Sequence, residues 1–355
     1  MNFAYDSLSG NVNFVSGPEK NCGKTSFMVA ALTAWRKQHP GQSPALMTVG
    51  YDGETRDLLS GVRKPAVPVC AGDYFITTER FLRSSGCAAE IIDVVPGSTA
   101  LGRCCMARAQ RDGMAALVGP EGNSAVAAAI GLLRENCPDR TIMVDGAINR
   151  ITQLASVPDA RLIYVLRVDR SSLNRSLERL QRLSLLLRLP LADSVSAMGS
   201  DPRGGEAVSG AGSDPQGGKA VSGMGSDPRG GEAVSVRGAD PGCAEPVSGA
   251  EAAPEALYLP GALTLETLQT LPIRCRALLV DDFTKIFLGA AELRSFLRTR
   301  QLYVRNAIRC SGIVVITRGL TDSELDDRID DAYLRGLISY NLHRQDQLQP
   351  DAGIR

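Results

Sequence analysis

Largely apolar, non-alternating runs recur along the chain at residues 12–16, 44–50, 89–95, 114–118, 141–144 and 161–167. Segments of helical character separate them: 27–35, 77–84, 99–111 (rich in Ala and Arg) and the Ala-rich 124–136. A strand that alternates apolar and polar residues has one wet face, whereas one that is apolar throughout is covered on both. Runs of the second kind alternating with helices predict an α/β fold, a three-layer αβα arrangement around a mainly parallel sheet. A short extended piece is also expected to end near Cys70, in the region broken by Lys64-Pro65 and Pro68.

Residues 171–189 predict an amphipathic helix, with Leu173, Leu177, Leu180 and Leu187 at helical spacing and Arg175, Arg179 and Arg182 among them. The arginines read as a solvated face, with docking of a partner as the alternative. Beyond it the pattern changes. The stretch 196–208 returns as 209–221 and 222–234, and in degraded form as 235–247, a period of 13 residues. Residues 192–255 contain no aromatic side chain and abound in Gly, Pro and Ser. Such a segment cannot bury enough apolar surface to offset its ordering entropy, so a disordered repeat insertion is expected, with a tethering role as the alternative.

Order is expected to resume near Leu257, with helices at 263–271, 290–298 and 322–335 and strands at 276–282, 301–305 and 312–317. The returning pattern implies that the insertion interrupts one sheet. The expected organisation is therefore an α/β domain in two parts, 1–191 and 256–342, split by 192–255 and followed by a polar tail, 343–355.

Charge and cysteine usage narrow the function. The 355 residues hold 39 basic and 39 acidic side chains, a balance that argues against a nucleic-acid footprint or an anionic-membrane binder. Nine scattered cysteines without C-x-x-C spacing, and only His39 and His343, argue against a structural zinc site or a disulfide framework. Cys104-Cys105 read as buried small residues of the helix 99–111. The N-terminus has no basic region followed by an apolar core, and no run approaches a membrane span. A soluble protein of a reducing cytoplasm is expected.

The first strand leads into Gly17-Pro18-Glu19-Lys20-Asn21-Cys22-Gly23-Lys24-Thr25-Ser26 and then a helix. Strand, Gly/Pro turn and Gly-Lys-Thr at a helix start make a phosphate cradle: turn amides and free helix N–H groups converge, and the helix dipole favours an anion. Gly17, Asn21, Cys22, Gly23, Lys24, Thr25 and Ser26 would bind the phosphates, with Lys24 reaching the β- and γ-phosphates and Thr25 holding Mg²⁺. Five residues rather than the usual four separate Gly17 from Gly23, with Pro18 at the expected glycine position. This is the pattern of a P-loop NTPase. No Asn-Lys-x-Asp guanine motif occurs, which favours ATP. The alternative is a plain turn with an exposed lysine.

Ligands of open parallel sheets sit beyond the carboxyl ends of the strands. There the sequence places Asp52, Glu54, Asp93, Glu121, Asn123, Asp145, Asn149, Arg150, Asp281, Asp282 and Lys285. Two positions compete to complete the Mg²⁺ shell. Met143-Val144-Asp145-Gly146-Ala147 looks like the metal-binding acid-Gly-Ala turn of the dethiobiotin-synthetase and cobyric-acid-synthase group, while Leu278-Leu279-Val280-Asp281-Asp282 looks like a general Walker B strand. Asp145 and Lys24 are the candidate catalytic residues, with Arg150 as a neutraliser of γ-phosphate charge or, alternatively, a surface ion-pair partner. Residues 117–123 echo 15–21 without a following lysine, and read as a reused turn geometry.

Together, Gly17-Pro18 through Gly23-Lys24-Thr25, Gly50-Tyr51-Asp52-Gly53-Glu54, residues 72–79, residues 96–102, residues 144–150 and Asp281-Asp282-Phe283-Thr284-Lys285 resemble the small P-loop subunit of the reactivases for lysine 5,6- and ornithine 4,5-aminomutase. The resemblance covers 1–191 and 256–340, apart from the P-loop spacing and the repeats. It implies an ATP-driven chaperone that releases damaged cobalamin from an adenosylcobalamin-dependent aminomutase. It also implies a large partner subunit similar to mismatch-repair ATPases. A P-loop kinase or ligase, and a nucleotide-binding scaffold without hydrolysis, are the competing expectations.

Overall fold

The computed structural model describes residues 3–50, 66–137, 141–146, 152–192, 233–235 and 255–342, apart from Ser98, Ala100, Pro158 and Arg274. Its strands are β1 (Val12–Ser16), β2 (Ala45–Thr48), β3 (Val67–Val69), β4 (Tyr74–Thr78), β5 (Ala89–Val94), β6 (Cys104–Ala109), β7 (Gly113–Ala115), β8 (Ile142–Asp145), β9 (Arg161–Asp169), β10 (Ala233–Ser235), β11 (Glu255–Leu259), β12 (Ala277–Val280), β13 (Gln301–Val304), β14 (Arg309–Arg318) and β15 (Ile338–Tyr340). Its helices are α1 (Lys24–Gln38), α2 (Glu79–Ser84), α3 (Asn123–Asn136), α4 (Thr152–Ala155), α5 (Leu173–Leu187), α6 (Leu265–Thr270), α7 (Ala290–Thr299), α8 (Asp322–Asp326) and α9 (Ala332–Leu337). Among the described residues no helix is long and apolar enough to cross a membrane.

The chain divides into two compact units, one of residues 1–188, 282–284 and 306–355, the other of 189–281 and 285–305. The first is α/β. Its main sheet has the order β15-β14-β9-β1-β8-β2-β4-β6-β5. Every pair from β15 to β4 is parallel, and β6 runs antiparallel to both β4 and β5. The central strands β1, β2 and β8 are buried on both faces, apart from half-buried Asp145. Helix α1 packs on β1 and β8, α3 on β6 and α5 on β9. The α1 face against the sheet carries Phe27, Met28, Ala31, Leu32 and Trp35, which join Val15, Leu46, Met143, Ile163 and Val314 in one core. Each such large side chain contributes about 1.5–3 kcal/mol by leaving water.

The second unit holds a smaller sheet, β10-β11-β12-β13, parallel except for the β10–β11 pair. The strands 276–282 and 301–305 expected in a single interrupted sheet are therefore β12 and β13 of a separate one, while β14 and β15 do return to the first. Within the repeat segment Ala233–Ser235 pairs with β11. The remainder of 193–254, and the tail from residue 343, lie outside the described residues.

Other elements also differ from expectation. The segment 99–111, read as a helix for its Ala and Arg content, contains β6 instead. There Cys104, Cys105, Met106, Ala107 and Ala109 are buried, and two flanking strands satisfy the backbone. Pairing on both edges overrides alanine's helical preference. The cysteines are buried as expected, and burial pushes the Cys104 thiol up to about 11. The expected helix 322–335 is two, because Asp331 accepts the Tyr333 and Leu334 amides and caps α9 in mid-segment.

Trp35 shows how α1 is fixed. It is 1 % exposed, stacks on His39 at 4.7 Å and donates its indole N–H to Ser9 Oγ at 3.0 Å. Trp35→Ala is expected to cost about 3–5 kcal/mol in urea unfolding. A loss under about 1 kcal/mol would mean that this face of α1 is not packed.

Candidate functional site

The loop after β1 is shaped by its backbone. Asn21 has φ 57° and Gly23 φ 100°, while Cys22 between them stays out of the left-handed region and Lys24 begins the helix. Alternation of this kind turns successive N–H groups toward one side, forming a concave anion-binding nest. Gly23 is the helix N-cap and offers no side chain to close the first turn. A Cβ there would lie 2.2 Å from Ile316 Cδ1, and one on Gly17 would lie 2.3 Å from the Val165 carbonyl oxygen. Gly17 is thus required by the backbone of β9, and Gly23 by its own left-handed φ.

Lys24 is 7 % exposed and folds back over the loop, donating from Nζ to the Glu19 carbonyl at 3.0 Å. Cys22 is buried, with its Sγ 3.7 Å from that ammonium. Asn21 and Ser26 are exposed and Thr25 is half-buried. Thr25 Oγ1 donates to Asp145 Oδ2 at 3.0 Å. Asp145 ends β8, paired in register with Val15 on one side and Thr48 on the other. Its carbonyl accepts the Val49 amide and the Thr48 hydroxyl, each at 3.0 Å, and Gly146 donates its N–H to Val15 at 2.8 Å. Of the two acids proposed for metal, Asp145 is the one the fold brings to Thr25.

Asp281 is placed differently. Its strand, β12, belongs to the sheet of the second unit, so it does not extend the sheet that carries β1. Its carboxylate accepts the Tyr258 hydroxyl at 2.8 Å, and Arg305 lies 3.6 Å away with its guanidinium 4.3 Å from the Tyr258 ring centre. Burial, then the bond to Asp281, push the Tyr258 phenol up, so it remains a neutral donor to that acid. An apolar strand ending in acid arises in any parallel unit, which is why the sequence offered two. Asp282 is buried and accepts the Thr284 amide at 2.7 Å.

Arg150, Asn149, Asp52 and Glu54 lie outside the described residues. Asp93 sits on β5, five strand steps from β1 in the sheet order, or roughly 24 Å. At the echoing turn, Gly119 gives its amide to the Gly50 carbonyl at 3.3 Å and the Gly50 amide bonds Pro120 at 2.8 Å. These two amides tie the loop after β2 to the loop before α3. Gly122 is the N-cap of α3, and Asn123 is its first residue.

Three residues that sequence reasoning did not assign complete the loop's surroundings. Arg179 of α5 pairs with the Glu19 carboxylate at 2.7 Å, and Arg167 of β9 donates to the Asn21 carbonyl at 3.3 Å. Tyr164, opposite Ser16 in the β1–β9 register, is buried and its phenol is pushed up to about 12. Arg179 was legible only as part of an arginine-rich helical face.

The donor chemistry fits a magnesium nucleotide. Thr25 and Asp145 present two hard oxygens together, Lys24 brings a cation, and the open first turn of α1 brings amides. Ser16, just before the loop, holds a buried hydroxyl without a partner. Among the described residues no group of three or more His, Cys, Asp or Glu could hold a metal alone. In comparisons with protein-family models, curated proteins and solved structures, nothing matches this chain.

Gly23→Ala is expected to lower unfolding stability by about 1–3 kcal/mol, combining a left-handed φ with a collision at Ile316. Glu19→Gln, at a part-exposed pair, is expected to cost under about 1 kcal/mol. Chemical denaturation of both variants checks the ranking, and the reverse order would refute this account of the loop.

Proposed function

We propose that the chain is an ATP-binding P-loop NTPase with a three-layer αβα core, in which residues 17–26 hold the triphosphate and Thr25 and Asp145 hold Mg²⁺. The observation that carries this reading is the 3.0 Å bond from Thr25 to Asp145, joining the first turn of α1 to the end of the adjacent parallel strand.

Bound MgATP supplies the transferable phosphoryl group and a divalent charge beside it. The chain's own residues do the rest. Lys24 exchanges the Glu19 carbonyl for phosphate oxygens, replacing a bond to a neutral acceptor with a charge-assisted one. Asp145 orients the Thr25 hydroxyl, while Arg179 and Arg167 hold Glu19 and Asn21 so that the loop keeps its concave form. The resemblance of several segments to the aminomutase reactivases supports one choice of client for this ATPase. It would be an adenosylcobalamin-dependent aminomutase, relieved of damaged cobalamin through a large subunit similar to mismatch-repair ATPases.

Equilibrium binding of MgATP tests the site. Charged hydrogen bonds contribute about 1.5–3 kcal/mol, so Lys24→Ala is expected to weaken affinity about 10- to 100-fold. Asp145→Asn should remove the dependence on Mg²⁺, and Asp281→Asn should leave it intact. Unchanged affinity in Lys24→Ala would overturn the proposal, and loss of the Mg²⁺ effect in Asp281→Asn alone would overturn the ligand assignment. Hydrolysis stimulated by an aminomutase with its large subunit supports the client, whereas turnover that requires one metabolite identifies a kinase or ligase.

A further inference from the structure

A cavity open to solvent lies in the first unit, at the carboxyl end of β4. It encloses about 620 Å³ and is lined by Thr78, Glu79, Arg80, Arg83, Gly102 and Arg103 among others. Three arginines and one acid thus share one concavity, an excess of positive charge in a chain whose formal net charge is +0. Arg80 and Arg83 are three apart on α2, which places them on one helical face, and Arg103 reaches the cavity from the turn between β5 and β6.

These guanidiniums are not consumed by the fold. Among the described residues Arg80 and Arg103 take part in no hydrogen bond or ion pair, and Arg83 meets only Glu79, at 3.8 Å with both side chains exposed. Such a pair contributes little and is easily exchanged. Thr78, on the same wall, is 1 % exposed, and its hydroxyl is buried without a partner. A buried hydroxyl left unpaired is costly.

We infer that this cavity binds the phosphate group of a small phosphorylated molecule. Guanidinium forks match phosphate oxygens in pairs, and two unpaired forks with a third weakly held provide such contacts. The volume lies in the range of small-molecule sites and far exceeds one phosphate, so the ligand carries an organic part as well. The charge is gathered in one concavity and forms no stripe, which argues against a nucleic-acid strand.

The cavity shares the rim of the sheet with the loop 17–26, because β1 and β4 are parallel and both sites follow carboxyl ends. In the order β1-β8-β2-β4 they are three strand steps apart, roughly 14 Å. That separation is between strand ends, and the cavity lining shares no residue with the loop. The role of the cavity's ligand is that of an effector or an anchored second ligand. The inference does not depend on the loop's binding a nucleotide.

Calorimetric titration of the full chain with inorganic pyrophosphate tests it, in wild type and in Lys24→Ala so that the loop is weakened. One site per chain is expected to persist in Lys24→Ala. Adding Arg80→Ala and Arg103→Ala, both on exposed side chains, should weaken that site at least tenfold, and Arg80→Lys alone should weaken it less. Affinity should also fall as salt rises. Absence of binding in Lys24→Ala, unchanged affinity after loss of both arginines, or tighter binding of malonate than of pyrophosphate would overturn the assignment.

Discussion

The parallel pairing of β1 with β8 is the constraint on which the candidate site depends. Its register sets Val15 against Asp145, so the loop leaving β1 and the acid ending β8 emerge side by side. The ladder continues one step further, through the Gly146 amide to Val15. Because β2 flanks β8 and holds the Asp145 carbonyl through Val49 and Thr48, the carboxylate stands on three strands. A one-residue slip would move Asp145 to the other face of the sheet and leave Thr25 without its acceptor.

The apolar interior keeps that register from slipping. Strands covered on both faces have large side chains to place above and below, and Phe14, Val15, Leu46, Met47, Met143 and Val144 are all essentially without exposure. Against this fixed frame the loop carries the unfavourable geometry. Non-glycine residues in the left-handed region, such as Asn21, cost of order 1–3 kcal/mol and persist where the surroundings over-determine them. Here β9 and α5 do so, through Arg167 on the Asn21 carbonyl and Arg179 on Glu19. The five-residue spacing is accommodated with Cys22 turned inward beside Lys24, which keeps the ammonium over the loop.

The parallel core was readable because its code is simple. A run such as 141–144 can satisfy its apolar side chains only between two covering layers, and the Gly-Lys-Thr turn follows such a run directly. The misreadings have a common cause. In 99–111, residue preference was asked to decide what pairing on both edges decides, and small buried residues such as Ala107 and Ala109 carry little strand signal of their own. The second sheet was missed because β11–β13 have the same composition as the first, and membership of a sheet depends on neighbours far along the chain. Asp281 shows this at the level of a single side chain. Its sequence neighbourhood resembles that of Asp145, and its fate is set by Tyr258 and Arg305.

The rule that makes one rim of a parallel sheet functional is geometric, and it applies to every strand in the row. Carboxyl ends release their loops on the same side, so groups that no strand needs for pairing collect there. At β1 these are loop amides and a lysine; at β4 they are arginines. The difference follows from what comes next. After β1 the chain enters a helix of 15 residues whose dipole and open amides favour an anion. After β4 it enters one of only 6, too short to offer much dipole, and side-chain cations supply the positive field instead. The two concavities thus reach the same sign of potential by different means, one through the backbone and one through guanidiniums. Backbone amides hold a phosphate at a fixed place, whereas arginines on exposed stems adapt to where it lies.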